Sequence, residues 1–206
     1  MTNMVTSIGS YAFVECTGLT NVSVPAAVSS IGEYAFYGCS GLTRVDMSDI
    51  AAWCNLVFYP TENYTSNPLY YANHLYLNGE EVKGLVVPAG VETIKDGTFY
   101  NCTGLTSIRM NDMVSTVGYY TFTGCTNLTN VVIGHNVYFI MDGAFRDCEN
   151  LKDLTLGASV QEILFGAFFG YKKIERIISL AVTPPSIPNV FETVVIIHCN
   201  THSVPM

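Results

Sequence analysis

The apolar positions of this chain recur at a fixed step, the one that carries Val5 to Val28 and Val91 to Val114. Six segments, 5–24, 28–47, 91–110, 114–133, 137–156 and 160–179, align without a gap. The first column is Val5, Val28, Val91, Val114, Val137 and Val160, and three residues on come Ile8, Ile31, Ile94, Val117, Ile140 and Ile163. A small residue (Ala12, Ala35, Thr98, Thr121, Ala144, Ala167) then precedes an unbroken column of Phe13, Phe36, Phe99, Phe122, Phe145 and Phe168. Cys16, Cys39, Cys102, Cys125 and Cys148 follow, with Tyr171 in the sixth place. Each unit closes on a Leu-x-x-Φ-x-Φ pattern (Φ, apolar), as in Leu19, Val22 and Val24 or Leu151, Leu154 and Leu156.

That closing alternation has period two, the mark of a short half-buried strand. One such strand cannot bury its apolar face alone, so the pattern predicts coils stacked into a solenoid, their strands forming a parallel sheet about 4.8 Å apart. Identical columns become ladders, with phenylalanine as the spine. Gly9, Gly32 and Gly118, and the Thr-Gly or Ser-Gly pairs before Leu19, Leu42 and Leu105, fit the turns between the sides of each coil. The Ile-Gly-x-x-Ala-Phe stretch is too short for a long helix and predicts short strands or a single helical or 3₁₀ turn on the convex side.

The strand centres fall at Val22, Val45, Ile108, Val131, Leu154 and Ile177, so the gap from Val45 to Ile108 is far wider than the regular step. Leu85 lies one period before Ile108 and echoes Val22, which places 48–88 in one enlarged coil between the strands at Val45 and Leu85. The expectation is one continuous sheet through it. Within it Leu75–Val82 reads as a hairpin, because Asn78-Gly79 supplies the positive φ angles of a type I′ turn. The chain is thus read as a single domain over 1–206: regular repeats at 5–47 and 91–179, the enlarged coil at 48–88, and a cap-like segment at 180–206. Thr183-Pro184-Pro185 stops the pattern in that segment, which holds a last strand near Val194–Ile197.

Composition narrows the function. Apolar residues make up 49% and charged ones 13%, which describes a packed chain rather than a disordered one. A formal charge of −8 with no basic run argues against nucleic acid as a partner. No apolar stretch reaches membrane-spanning length, so membrane insertion is not expected. The N-terminus lacks the charged and apolar regions of an export signal, and the first repeat begins at Val5; both lead us to expect a fragment or a mature form.

The cysteines look chemical but are read as core. Five of seven occupy one column, and stacked parallel Cβ vectors about 4.8 Å apart exceed the usual disulfide Cβ separation of about 3.8 Å. A free buried thiol acting as a small hydrophobe is the plainer reading. No metal is expected: no Cys-x-x-Cys occurs, and His198, Cys199 and His202 are explained by a disordered tail. No cofactor motif is present. No His or carboxylate recurs beside a Ser or Cys in a way that implies a pocket, so no catalytic residue is assigned; a hydrolase carried on the solenoid is the least favoured alternative.

Binding is the function that the free positions suggest. Outward-facing strand residues on the concave side run Asn21 and Ser23, Arg44 and Asp46, Gly84 and Val86, Ser107 and Arg109, Asn130 and Val132, Asp153 and Thr155, Arg176 and Ile178. Arg44, Asp46, Ser107, Arg109, Asn130, Asp153 and Arg176 are the candidate ligand-binding residues, since the planar guanidinium fork suits recognition of carboxylates. A second candidate is an aromatic patch of Trp53, Tyr59, Tyr64, Tyr70, Tyr71 and Tyr76 in the enlarged coil. Solvated charge on the sheet, and packing within the coil, are the bland alternatives.

The unit Leu-x-x-Φ-x-Φ followed by Val-x-x-Ile-Gly-x-x-Ala-Phe-x-x-Cys resembles the BspA-like (Treponema pallidum-type) leucine-rich repeat family across nearly the whole chain. Ala52-Trp53-Cys54, Asn67-Pro68-Leu69 and His74–Glu80 resemble an insertion recurring in its bacterial members, and Thr183-Pro184-Pro185 their C-terminal units. The resemblance implies an α/β leucine-rich-repeat solenoid, right-handed and curved, usually in secreted or cell-surface proteins. Several members are linked to adhesion, including binding of host extracellular-matrix proteins. Departures are the absent export signal, Tyr171 in the cysteine column and Ser179 at the end of its strand. The resulting expectation is a non-catalytic module that recognises a protein or glycan through the concave face, outside the cell or at its surface. A purely structural spacer in a larger surface protein is the alternative.

Overall fold

The computed structural model describes residues 5–59, 64–183, 185–186 and 197–199. In chain order the first coils contain β1 (Ser7–Ile8), β2 (Asn21–Val24), β3 (Ser30–Ile31) and β4 (Arg44–Met47). The enlarged segment contributes α1 (Ile50–Cys54), β5 (Val57–Phe58), α2 (Leu69–Ala72), β6 (Leu75–Leu77) and β7 (Glu80–Glu81). Regular coils then resume with β8 (Gly84–Val86), β9 (Thr93–Ile94), β10 (Ser107–Arg109), β11 (Thr116–Val117), β12 (Asn130–Val132) and β13 (Phe139–Ile140). They continue through β14 (Asp153–Leu156), β15 (Glu162–Ile163), β16 (Arg176–Ser179) and β17 (Ile197–Cys199).

Each regular coil contributes one longer and one two-residue strand, and both kinds pair in parallel with the same kind one period away. Ile108 stands opposite Val131 on one side and Leu85 on the other, and Val117 opposite Ile94 and Ile140. The predicted solenoid and its register therefore hold, including the step from Leu85 to Ile108. The second side of the coil is built of short strands and turns rather than helix.

One expectation is corrected. The longer strands do not form one continuous sheet but two, ordered β2-β4-β6-β7 and β17-β16-β14-β12-β10-β8; the short strands divide likewise into β1-β3-β5 and β15-β13-β11-β9. The reason lies in how the enlarged segment uses its length. Leu75 pairs with Val45, so β4 to β6 is already a complete coil, made longer than a regular one by α1 and α2. The hairpin β6–β7, turning at Asn78 (φ 51°) and Gly79 (φ 89°), then ends the first stack, and β8 starts the second.

Buried polar contacts join the two stacks. Asp49 caps α1, its Oδ1 accepting from the Ala52 amide at 2.7 Å, which holds Trp53 and Cys54 inward. Trp53 donates from Nε1 to the Thr98 carbonyl at 3.0 Å, and the Lys95 amide donates to the Cys54 carbonyl. Buried Asn67 donates to the carbonyls of Gly97 (2.8 Å) and Thr98 (3.2 Å) and accepts from the Leu69 amide.

The phenylalanine column is a stacked ladder: Phe99, Phe122, Phe145 and Phe168 follow one another at 5.2, 5.2 and 5.1 Å between ring centres, and Phe13 and Phe36 stand 5.2 Å apart. Thr98 and Thr121 replace Ala beside it without leaving a bare hydroxyl, since each Oγ1 donates three residues back, to Lys95 and Gly118. The cysteines Cys39, Cys102, Cys125 and Cys148 are buried free thiols. Cys39, Cys125 and Cys148 donate from Sγ to the carbonyls of Phe13, Phe99 and Phe122 in the preceding coil. Cys16 departs from the expectation: it is exposed, in the coil whose strands β1 and β2 stand at the sheet edges among the described residues. The expected last strand at 194–197 lies outside the described residues except for Ile197, which pairs with Ile177; His202 lies outside them too.

Candidate functional site

The side chains at alternate positions of the longer strands leave the core and form the face that the sequence reading assigns to the concave side. Arg44 does not project freely from it. Its Nε and Nη2 grip the carboxylate of Asp46 at 2.7 and 2.6 Å, and its guanidinium carbon lies 3.8 Å from the centre of the Tyr76 ring. The hydrogen bonds from Arg44 hold the Asp46 carboxyl below its ordinary pKa. Arg176 donates to Asp153 at 2.9 Å across adjacent strands. Arg109 differs: it is exposed, and among the described residues no carboxylate pairs with it. Ser107 and Asn130 stand opposite each other on β10 and β12.

Arg109 also borders a cleft of about 420 Å³. Val86 and Val132, its in-register neighbours on β8 and β12, form the apolar flanks, and Asn111, Asp112 and His135 close the turn side. Two of those turn residues are held in place: Asn111 donates to the Pro88 carbonyl, and Asp112 accepts from the His135 amide at 2.8 Å. Sequence reasoning placed Val86, Arg109 and Val132 on the strip but missed the turn residues. Their signal was the step of one period from Asn111-Asp112 to Gly134-His135.

The aromatic patch needs correction. Trp53 is buried, 2% exposed, and belongs to the seam between the stacks. Tyr76 sits under Arg44, on the strand face. Tyr59 is 51% exposed and makes no ring contact among the described residues. The remaining three do come together, half-buried, in a cluster with Tyr100 and Tyr120. Tyr64 stacks on Tyr100 at 5.5 Å and lies 5.8 Å from Tyr120, while Tyr70 contacts Tyr71 at 4.9 Å and Tyr100 at 6.0 Å. The Tyr71 hydroxyl accepts from the Gly38 amide at 2.8 Å, and burial pushes the Tyr64 hydroxyl far above its ordinary pKa. This is a packed side wall rather than an open platform.

Among the described residues no three His, Cys, Asp or Glu side chains converge as metal ligands, and no helix is long and apolar enough to cross a membrane.

The repeat geometry has a counterpart among known families. The profile of the BspA type leucine rich repeat region matches residues 1–70 and 71–189, with six copies. The chain belongs to that family. The sequence matches no curated protein. Among solved structures, a leucine rich cell surface protein from Faecalibacterium prausnitzii A2-165 aligns over 84% of this chain and 57% of its own, at 20% identity and a TM-score of 0.53. A leucine-rich repeat protein from Bacteroides ovatus aligns over 84% and 39%, at 24% identity and 0.52. The pneumococcal vaccine antigen PcpA aligns over 84% and 53%, at 15% identity and 0.55. At these identities the likeness is one of fold. The BspA-type chain described here spans between 39% and 57% of the length of these three proteins.

Proposed function

We propose that this BspA-type repeat module is a non-catalytic binding element of a secreted or cell-surface bacterial protein, recognising a protein or glycan through its long-strand face. Host matrix proteins are among the partners to be tested. The observation that carries the reading is Arg109. Its two fellow arginines on the face are neutralised by Asp46 and Asp153, whereas Arg109, unpaired among the described residues, presents its guanidinium in a cleft with apolar flanks. A planar cation beside exposed valines fits a carboxylate on a partner with apolar groups next to it. The cell-surface description of the Faecalibacterium structure supports the location.

The test is a screen of matrix proteins and a glycan array, followed by Arg109→Ala against whatever is captured. The reading expects a captured ligand whose affinity falls in the variant at unchanged melting temperature. Capture of nothing would favour a spacer, and turnover in a fluorogenic protease, esterase and glycosidase panel would favour an enzyme.

A further inference from the structure

The break between the two long-strand sheets leaves two strand edges facing one cleft. β7 is the last strand of the first sheet and β8 the first strand of the second, and among the described residues neither pairs with a strand on its other side. The hydrogen bonds of β8 show which groups are left over. The Val87 amide donates to Arg109, and the Lys83 carbonyl accepts from Ser107, so positions 83, 85 and 87 serve the ladder to β10. In a parallel strand alternate residues bond to alternate sides, which turns the N–H and C=O groups of Gly84 and Val86 toward the open edge. The equivalent residues one period on, Ser107 and Arg109, use those same groups to bind β8. The strip is thus an unfilled ladder position.

A cleft of about 390 Å³ lies along this edge, lined by Ile50, Leu77, Val82, Leu85 and Val86 together with Glu80, Glu81, Lys83 and Gly84. Its floor is apolar. Its rim is acidic: Glu81 is shared between His74 and Lys83, while Glu80 is exposed and has no ion-pair partner among the described residues. Val86, 66% exposed, stands on the edge itself, and neither residue that turns its groups outward is a proline or a charged guard of the kind that usually protects exposed edges.

We propose that the free edge of β8 docks an extended segment of a partner protein as an added strand, with apolar side chains turned into the cleft and basic ones facing Glu80. Backbone N–H and C=O groups in alternation are what Gly84 and Val86 require, and only an extended chain offers them at that spacing. The apolar floor and acidic rim set the side-chain pattern. This site is distinct from the Arg109 cleft, although Val86 borders both, and it stands whether or not Arg109 binds a carboxylate.

The probe is a short capped peptide alternating valine with lysine, compared with its valine–glutamate counterpart and with a version N-methylated at every second amide. Titration followed by amide hydrogen exchange is expected to show binding of the lysine peptide and slowing of exchange at Gly84 and Val86 by about tenfold or more. The glutamate and N-methylated peptides should bind at least about tenfold more weakly. Val86→Pro, which removes a donor on the open edge and none from the β10 ladder, should abolish binding at unchanged melting temperature. If Val86→Pro fails to fold, the N-methylated peptide and the exchange map carry the same test in the natural sequence. Failure of the lysine peptide to bind, equal binding by the N-methylated version, or protection away from Gly84 and Val86 would each overturn the proposal. So would self-association of the free protein, measured by sedimentation, that protects those two amides, since a second copy would then be the occupant. A lost Arg109 effect with this binding intact would overturn only the functional reading above.

Discussion

The ring of Tyr64 occupies the space that a side chain on Gly97 would need: a Cβ built there would overlap Tyr64 Cδ1. Both residues are in the left-handed backbone region, φ 54° and 62°, and they belong to one column that runs Tyr11, Tyr34, Tyr64, Gly97, Tyr120, Gly143 and Gly166. Tyr120 covers Gly143 in the same way. A bulky residue incurs a conformational penalty in that region. Here the ring offsets it by closing over the glycine of the next coil. Gly97→Ala should therefore lower stability by about 1–3 kcal/mol through overpacking and backbone strain. Gly9→Ala, with open space where the methyl would go, should stay within about 0.5 kcal/mol. Urea denaturation of both variants checks the contrast.

The phenylalanine ladder predicts a gradient. Phe122 is fully buried with a stacked ring on either side, and Phe122→Ala should cost about 3–5 kcal/mol. Phe13 lies in the first coil, only partly buried, and among the described residues its ring stacks on Phe36 alone, so Phe13→Ala should cost clearly less. Equal losses in the two, measured by the same denaturation, would mean that burial along the ladder is not what sets its energy.

The seam predicts a polar cost. Asn67→Leu removes an amide from two buried backbone carbonyls, those of Gly97 and Thr98, and should lose about 2 kcal/mol or more. Trp53→Phe removes one donor from Thr98 and should lose about 1–2 kcal/mol. Melting followed by hydrogen exchange should show the first stack, β1 to β7, opening before the second.

The repeat, its register and its ladders were legible because eight columns recur and a stacked coil turns each column into a contact. The seam was not. The interval from Val45 to Leu85 is longer than one period and shorter than two, so it does not say whether one coil is enlarged or a further coil and a hairpin are added. The deciding sign was Leu75-Tyr76-Leu77, which has the Φ-x-Φ form of a ladder strand as well as of a hairpin arm. Trp53 was misplaced for a related reason: a lone aromatic outside the repeat has no column to report its burial. The Asp46 and Asp153 partners of Arg44 and Arg176 were visible as neighbours on the strip, but which arginine stays free depends on side-chain geometry.

Buried thiols give the stability a pH dependence. Burial pushes Cys54 and Cys102 up to about 12 from an ordinary value of 9.0 and raises Cys39, Cys125 and Cys148 as well. The unfolded chain then holds fewer protons than the folded one above pH 9, so ∂ΔG/∂pH is negative there. This contribution is complete below pH 9 and is lost as pH rises toward about 12. Alkylation at pH 8 should label Cys16 rapidly and leave Cys39, Cys54, Cys102, Cys125 and Cys148 unlabelled until the protein unfolds.

The last prediction concerns the sign of a charge change on the binding face. If a free guanidinium is what the face offers to an acidic partner, then the carboxylates that neutralise its neighbours are inhibitory. Asp46→Asn weakens the clamp on Arg44, and Asp153→Asn does the same for Arg176. Both pairs are substantially exposed, so each substitution should change stability by no more than about 1 kcal/mol. Binding should move further and in the opposite direction from Arg109→Ala: tighter in each asparagine variant, tightest in the double variant, and more sensitive to salt in each because an added positive charge is partly screened. Arg44 remains stacked on Tyr76 in the Asp46 variant, which keeps its guanidinium on the face rather than in bulk solvent. Titration of the captured ligand against the four proteins at two salt concentrations decides it. Weaker binding in the asparagine variants would show that Asp46 and Asp153 themselves contact the partner, and the ligand chemistry would then be basic or hydroxyl-rich rather than acidic.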